Sequence, residues 1–142
     1  MKTERTAIED AWSVLDSAKQ QFPQALAVVD LASKTSETAF TYSSLYSSSS
    51  QLANFLRAAG IQRLERVAVC LPNSQECLEV HFACAALHTV VVNLNTSLVA
   101  RELAHILQVS SPRCIIAHTR YQGPVLEAIK QLDGSAGQVI SL

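Results

Sequence analysis

The sequence has 142 residues, of which 49% are hydrophobic and 16% charged, a balance typical of a globular domain and not of a disordered chain. The formal net charge is −1, and the Lys and Arg residues are scattered, so no electrostatic footprint for nucleic acid or for an anionic membrane is present. No apolar run is long enough for a transmembrane segment, and no secretion signal is recognisable. The four cysteines fall inside predicted strands and helices, so we expect an intracellular, cytoplasmic protein with reduced thiols.

Residues 1–42 are predicted to form a helix followed by a hairpin. Apolar residues spaced three and four apart predict an amphipathic helix over residues 6–20, which Phe22 and Pro23 end. Residues 25–30 and 39–42 flank a polar stretch and predict two antiparallel strands.

A serine-rich stretch then predicts a long helix up to Gly60. Leu45, Leu52 and Leu56 recur on one helical face, and Thr41 is placed to cap the first turn. Gly60 supplies the left-handed residue that ends many helices. We expect the serines of this helix to face solvent or small contacts.

The centre of the chain predicts a strand, a helix and a second strand. Residues 67–71 form a short apolar run ended by Pro72, which is typical of a strand buried on both faces. Asn73 is the predicted helix cap, with Glu76 completing a capping box, and the helix is expected to run to about Leu87. Residues 89–92 are β-branched and predict a second buried strand, parallel to the first and reached by a right-handed crossover.

The same alternation continues to the end of the chain. Residues 99–109 predict a helix, residues 114–117 a third parallel strand, residues 123–132 a short helix closed at Gly134, and residues 138–142 a fourth strand with an unprotected edge. Residues 43–142 therefore form an αβαβαβαβ unit. The predicted fold class is α/β, with three layers and a mostly parallel sheet with flanking helices, preceded by the N-terminal helix and hairpin.

One helical stripe carries residues with metal-binding chemistry, namely Cys77, His81, Cys84 and His88. A single straight helix offers only adjacent pairs of such residues to one ion, and no second ligand cluster completes a tetrahedron. The alternative is that Cys77 and Cys84 are core residues of a largely buried helix, and we expect no stoichiometric zinc.

Other familiar catalytic patterns are missing from the sequence. No GxSxG elbow follows a strand, and the turn after Leu71 reads PNSQ where a nucleotide site would need glycines. The GSAG run precedes a strand and not a helix, and the paired acids Glu9 and Asp10 are expected on a solvated helix face.

Stretches between Phe40 and Leu107 resemble, in order and spacing, the N-terminal segment of the adenylate-forming superfamily, in particular acyl-CoA synthetases and other AMP-binding ligases. They read FTYSSL, LANFLRAAGI, RVAVCLPNSQE, VVVNLN and RELAHIL. The resemblance covers nearly the whole chain but only the opening part of a family member. Residues 1–142 are thus expected to form an incomplete N-terminal domain of the acyl-CoA synthetase fold.

The resemblance implies a ligase of fatty acid metabolism that activates a carboxylate as an acyl-adenylate and then forms a thioester. ATP, Mg and coenzyme A are the cofactors expected for the full-length family member. The family's phosphate-binding loop, its magnesium-binding Glu and its mobile C-terminal Lys have no counterpart here. No catalytic, cofactor-binding or metal residue is therefore assigned, and the 142 residues are predicted to be inactive alone and to hold no cofactor. Matching positions such as Tyr42, Pro72, Asn73 and Asn95 lie in stretches that are structural in the family.

The expected partner is the remainder of the synthetase polypeptide or another copy of the same chain. The alternative is a free-standing α/β interaction module that docks on a split synthetase or on another partner.

The chain departs from the family pattern at several positions. His88 and Leu64 stand where glycines are usual, Asn93 replaces a proline, and Val99 occupies the position of a capping Thr. A residue other than glycine in a left-handed cap costs on the order of 1 kcal/mol, and a lost N-cap costs about as much. These departures suggest a divergent member or a chain released from the demands of catalysis.

Overall fold

The computed structural model describes residues 10–29, 39–132 and 137–141, and all structural statements below concern these ranges. The element order agrees with the sequence prediction. The elements are α1 Ala11–Gln21, β1 Leu26–Val29, β2 Ala39–Thr41, α2 Tyr42–Ala58, β3 Arg66–Cys70, α3 Gln75–Ala86, β4 Val90–Asn93, α4 Ala100–Ser110, β5 Cys114–Ala117, a 3₁₀ turn Thr119–Tyr121, α5 Gln122–Lys130 and β6 Gln138–Ser141. The predicted helix residues 6–9, strand residue 30, helix end at Gly134 and strand end at Leu142 lie outside the described residues.

The described residues form a parallel sheet and a separate hairpin. In the parallel sheet the strand order is β4-β3-β5-β6, and Ala68 of β3 pairs with Val92 on one side and with Ile115 on the other. β1 and β2 pair in antiparallel fashion, which confirms the predicted hairpin. The chain moves from β3 to β4 in one direction and then crosses back to β5, so the strand order reverses between β3 and β5.

Helices cover both faces of the parallel sheet and divide the core in two. Alternate residues of β3 point to opposite sides, so Val67 and Val69 meet α2 and α3, whereas Ala68 and Cys70 meet α4 and α5. This arrangement confirms the three-layer α/β architecture. None of the described helices combines the length and the apolar character that a bilayer-crossing helix needs.

Burial differs sharply between the central and the outer strands. Every residue of β5 is buried, as is every residue of β3 except Arg66. The outer strand β4 is only half-buried, and Val90 is 45% exposed. The predicted second buried strand is therefore only half-buried: Val91 and Val92 pack against the two core clusters, but β4 has a neighbour on one side only within the described sheet.

The N-terminal cap of α3 also differs from the prediction. Ser74, and not Asn73, is the N-cap, and its hydroxyl oxygen accepts a hydrogen bond from the Cys77 backbone N–H at 3.4 Å. Because the helix begins one residue later than expected, Glu76 is shifted away from the third helical position that a capping box requires. The predicted caps at Thr41 and Gly60 are confirmed, since Thr41 accepts from the Ser44 N–H and Gly60 has φ of 88°.

One serine of α2 contradicts the expectation that these residues face solvent or small contacts. Ser49 is fully buried, and its hydroxyl oxygen has no hydrogen-bond partner within the described part of the chain. An unsatisfied buried hydroxyl typically costs about 1 to 3 kcal/mol, so this residue weakens the helix beyond its low helical propensity.

Leu64 and His88 adopt left-handed backbone conformations and contact each other. Their φ angles are 67° and 52°, and the Leu64 N–H donates to the His88 carbonyl oxygen at 2.9 Å. The adjacent backbone hydrogen bond, from the Val90 N–H to the Glu65 carbonyl oxygen, is also 2.9 Å long. It directly precedes the pairing of β3 with β4. Two non-glycine residues thus hold a turn that glycine would form without strain.

Leu64→Gly is expected to stabilise the protein by about 1 kcal/mol, because the left-handed conformation penalises a Cβ atom by roughly that amount. The Leu64 side chain is 65% exposed, so little burial is lost. Urea unfolding followed by circular dichroism measures the change. Leu64→Ala is the matched control, since it removes the exposed side chain but keeps the strain, and equal stabilisation by both variants would contradict the explanation.

Candidate functional site

The carboxyl edge of the parallel sheet is lined by several polar residues. Open parallel α/β sheets bind their ligands outside the carboxyl ends of the strands, where the connecting loops begin. In this chain the loop after β3 leads to α3, and the loop after β4 leads to α4 on the opposite face. These two loops and the first turns of α3 enclose a crevice of about 600 Å³.

Amide side chains dominate the mouth of this carboxyl-edge crevice. Asn73, Asn93 and Asn95 are exposed and line it, above a floor that includes the buried Leu71 and Leu94. The full lining is Val69, Leu71, Pro72, Asn73, Cys77, His81, Asn93, Leu94, Asn95 and Thr96. Asn93, the position where the family has proline, therefore adds an amide to this edge.

The local fold already uses part of this polar surface. The Asn95 side-chain oxygen accepts from the Ser97 N–H at 2.9 Å and so shapes the loop that leads to α4. The amide groups of Asn73 and Asn93 make no hydrogen bond within the described residues, so they are available to a polar ligand. Such a lining can recognise a neutral polar group, but it contains no acid, no strong nucleophile and no paired carboxylates.

The structure does not bring the four residues of the helical Cys/His stripe to one point. Cys77 and His81 line the carboxyl-edge crevice, Cys84 is fully buried, and His88 lies at the far end of α3 beside Asp10. The described residues contain no group of three or more metal-ligating side chains. Cys84 is a core residue, as expected, whereas Cys77 is only half-buried because it faces the crevice.

Cys77 and His81 do not form a nucleophile and base. Their Sγ and Nδ1 atoms are 3.8 Å apart, but the same Nδ1 lies 2.7 Å from the Cys77 carbonyl oxygen. A nitrogen that donates its proton to a carbonyl cannot accept the thiol proton at the same time. Burial also raises the pKa of the Cys77 thiol, which keeps it protonated and weakly reactive.

The buried thiols make the free energy of unfolding depend on pH in the alkaline range. Burial, with a smaller effect from the neighbouring Cys84, raises the pKa of Cys114 from its ordinary 9.0 to about 11. Because the folded pKa is the higher one, this stabilising contribution is complete below pH 9 and is lost as the pH rises through 11. Burial also raises the pKa values of Cys70 and Cys84, in the same direction.

Between pH 9 and pH 11, ionisation of the Cys114 thiol in the unfolded chain is expected to lower the free energy of unfolding by about 2 kcal/mol. One pKa unit corresponds to about 1.4 kcal/mol. Denaturant titrations at a series of alkaline pH values measure the fall. Cys114→Ala is the control, and it should be less stable at neutral pH but should lose less stability on alkalinisation. An identical pH dependence in both proteins would contradict the role of this thiol.

His118 is a further polar residue at the carboxyl edge that the sequence analysis did not single out. It directly follows β5, beside the point where the strand order reverses. Its backbone N–H donates to the Cys70 carbonyl oxygen at 3.1 Å, and its Nδ1 accepts from the Arg120 N–H at 3.0 Å. A polar residue immediately after a buried strand is the signal that could have identified it.

The carboxyl-edge crevice does not fit a triphosphate group or a magnesium ion. The loop between β3 and α3 has no glycine, and the Ser74 hydroxyl already occupies one of the free N–H groups at the start of α3. No acidic side chain lines the carboxyl-edge crevice to hold a magnesium ion.

The reversed strand order and polar carboxyl edge define an open, doubly wound α/β domain of the kind that binds small molecules at this edge. The family can be stated more narrowly. A profile of the AMP-binding enzyme family matches residues 15–141, and the chain belongs to this family.

Characterised ligases share sequence with this chain. Fatty acid–[acyl-carrier-protein] ligase ScoC of Streptomyces coeruleorubidus is 39% identical over 87 residues, which is 61% of this chain and 17% of that protein. Long-chain-fatty-acid–CoA ligase FadD13 of Mycobacterium tuberculosis is 31% identical over 105 residues, which is 74% of this chain and 21% of that protein. The chain thus matches about a fifth of the length of these relatives.

Solved structures share the fold. A Mycobacterium tuberculosis fatty acyl CoA synthetase superposes with a TM-score of 0.83 at 29% identity, over 94% of this chain and 26% of that one. The N-terminal domain of FACL13 from the same organism superposes with a TM-score of 0.85 at 27% identity, over 95% of this chain and 34% of that one. The fold is therefore that of the N-terminal domain of acyl-CoA synthetases, as the motif resemblance implied.

Proposed function

We propose that these residues are the opening part of the N-terminal domain of a ligase that activates a carboxylic acid through an acyl-adenylate. The family match over residues 15–141, on a fold shared with acyl-CoA synthetases, carries the proposal. The names of related ligases include fatty acid, feruloyl and propionate substrates, which supports a carboxylic acid substrate without selecting one.

The contribution of this part to the enzyme is structural. Its central strands are buried on both faces, and its carboxyl edge presents amides without catalytic groups. We propose that ATP, magnesium and coenzyme A are bound by later segments of a full-length enzyme, and that the remainder of the synthetase is the partner of this part. The four free thiols suit a reducing compartment, on which we base an intracellular location.

The 142-residue polypeptide is expected to catalyse no acid-dependent exchange of pyrophosphate into ATP, because the described residues form no triphosphate site. The assay uses a panel of fatty and aryl acids, with a full-length acyl-CoA ligase as the positive control. Exchange above background would show that these residues adenylate a carboxylate themselves and would contradict the division of labour proposed here.

A second arm tests the family activity itself. The reading frame is sequenced beyond the codon for Leu142, and any longer product is assayed in the same way. Exchange by a longer product together with silence of the 142-residue chain supports the ligase proposal. The comparisons give no support to the alternative of a free-standing interaction module.

A further inference from the structure

A second pocket lies at the amino edge of the sheet, opposite the carboxyl-edge crevice. It has a volume of about 540 Å³ and is formed where α2 and α3 end and where the loops to β3 and β4 begin. Its lining is Arg57, Ile61, Gln62, Arg63, Ala86, Leu87 and His88. This amino-edge pocket therefore has basic groups at its rim and no acidic residue in its lining.

The two arginines of this pocket have no carboxylate partner within the described residues. Arg57 donates to the neutral side-chain oxygen of Asn54 at 3.0 Å, and the exposed Arg63 guanidinium makes no ion pair or hydrogen bond in that part of the chain. Two other described basic residues do have carboxylate partners. Arg113 lies 3.9 Å from a Glu65 oxygen and Lys130 lies 3.3 Å from a Glu127 oxygen.

Two acidic residues that contact this part of the chain already have partners. Glu65 accepts the Gln62 backbone N–H at 2.8 Å and pairs with Arg113, and Asp10 lies 3.6 Å from Nδ1 of His88. Each of these carboxylates thus has its own donor. The charge of Arg57 and Arg63 therefore remains uncompensated within the described residues.

The electrostatic preference of helix ends for cations explains the position of only one of the two arginines. Arg57 lies in the last turn of α2, where a cation is favoured by the carbonyl groups at the helix terminus. Arg63 lies beyond that helix, in the turn held by the strained Leu64, and the helix terminus does not account for its position. The pocket also has an apolar floor, because Ile61 and Leu87 are buried and Ala86 lies beside them.

We propose that the amino-edge pocket binds a small phosphate monoester, with the guanidinium groups of Arg57 and Arg63 holding the phosphate and Ile61 and Leu87 contacting an apolar body. Guanidinium donors match the oxygen geometry of phosphate, and a doubly charged group would compensate the charge of both arginines. The volume lies within the range of small-molecule sites. This binding would be additional to the ligase activity proposed above and does not depend on it.

Equilibrium dialysis of the 142-residue chain with phenyl phosphate tests the site, because dialysis reports binding whatever the assembly state. We expect saturable binding at one site per chain, tighter than that of inorganic phosphate because of the apolar floor, and weakened by salt. Arg57→Gln combined with Arg63→Gln should weaken binding about tenfold or more. Arg101→Gln combined with Arg120→Gln is the matched control and should leave binding unchanged.

Several outcomes would overturn the proposal. They are non-saturable binding, equal losses in the two double variants, and equal affinity for phenyl phosphate and inorganic phosphate. Sedimentation with anionic phospholipid vesicles provides a further arm, and vesicle binding without binding of phenyl phosphate in solution would assign the arginines to a lipid surface instead. Circular dichroism of each variant confirms that a loss of binding is not a loss of fold.

Discussion

The 142-residue polypeptide is expected to self-associate at micromolar concentration through the outer strands of its sheet. β4 and β6 each have a single neighbour among the described strands, so their outer backbone groups are open to pairing. Val90 of β4 is 45% exposed, and Val139 and Ile140 of β6 are only half-buried. Backbone pairing and apolar burial therefore act together at these edges.

The free energy that drives this self-association follows from the apolar area that the edge contacts remove from water. A few hundred Å² of apolar surface at about 25 cal/mol per Å² amounts to several kcal/mol, comparable with the stability of a small domain. The central strands do not contribute to this tendency, because helices of the same chain cover β3 and β5 on both faces. Association is thus expected through the edges and not through an open sheet face.

Sedimentation equilibrium measures the expected association, and two variants identify its origin. Val90→Lys places a charge on the exposed edge of β4 and should shift the population toward monomer. Val109→Lys is the matched control, because Val109 is 72% exposed on α4 and lies away from the sheet edges. A compact monomer with a cooperative thermal transition, which binds no dye specific for exposed apolar surface, would contradict the prediction. An equal effect of both lysines would assign association to general apolar exposure.

Gly137→Ala is expected to destabilise the protein by about 3 kcal/mol or more, through a clash with backbone atoms. A Cβ atom at Gly137 would lie 2.3 Å from the Arg113 carbonyl oxygen and 2.4 Å from that of Pro112. Backbone groups cannot rotate aside as a side chain can, so β6 would have to move away from β5. The hydrogen bond from the Gln138 N–H to the Arg113 carbonyl oxygen, 3.2 Å long, would be lost first.

The effect is measured by urea denaturation and by hydrogen exchange of the β5 amides, which should lose protection as β6 separates. Gly123→Ala is the matched control, because a Cβ there meets no atom within 4 Å and the residue lies inside α5. In the first turn of α5 the higher helical propensity of alanine is opposed by Pro124, whose ring disfavours a helical conformation in a preceding residue that carries a Cβ atom, so this variant should change stability by less than about 1 kcal/mol. Equal destabilisation by both alanines would show that close approach at Gly137 is not the cause.

The local sequence was enough to predict the order and type of the elements. The helical period of apolar stripes such as that of Leu45, Leu52 and Leu56 indicates amphipathic helices, whereas short apolar runs bounded by Pro72 and Pro112 indicate buried strands by their length and flanking prolines. The departures from glycine at Leu64 and His88 also indicated left-handed turns, which their φ angles confirm. Element type and left-handed turns are determined by residues that are adjacent in the sequence, so they can be predicted from it directly.

Only the tertiary structure decided which strands lie at the edge and which side chains meet. β4 and β5 have similar compositions, but the crossover past β3 leaves β4 outside and buries β5, and no local pattern records that choice. The cap at Ser74 and the buried hydroxyl of Ser49 likewise follow from how α3 and α2 pack. The amino-edge pocket joins Arg57, Arg63 and His88 from two helix ends and a loop, because parallel strands bring distant segments of the chain to one edge of the sheet.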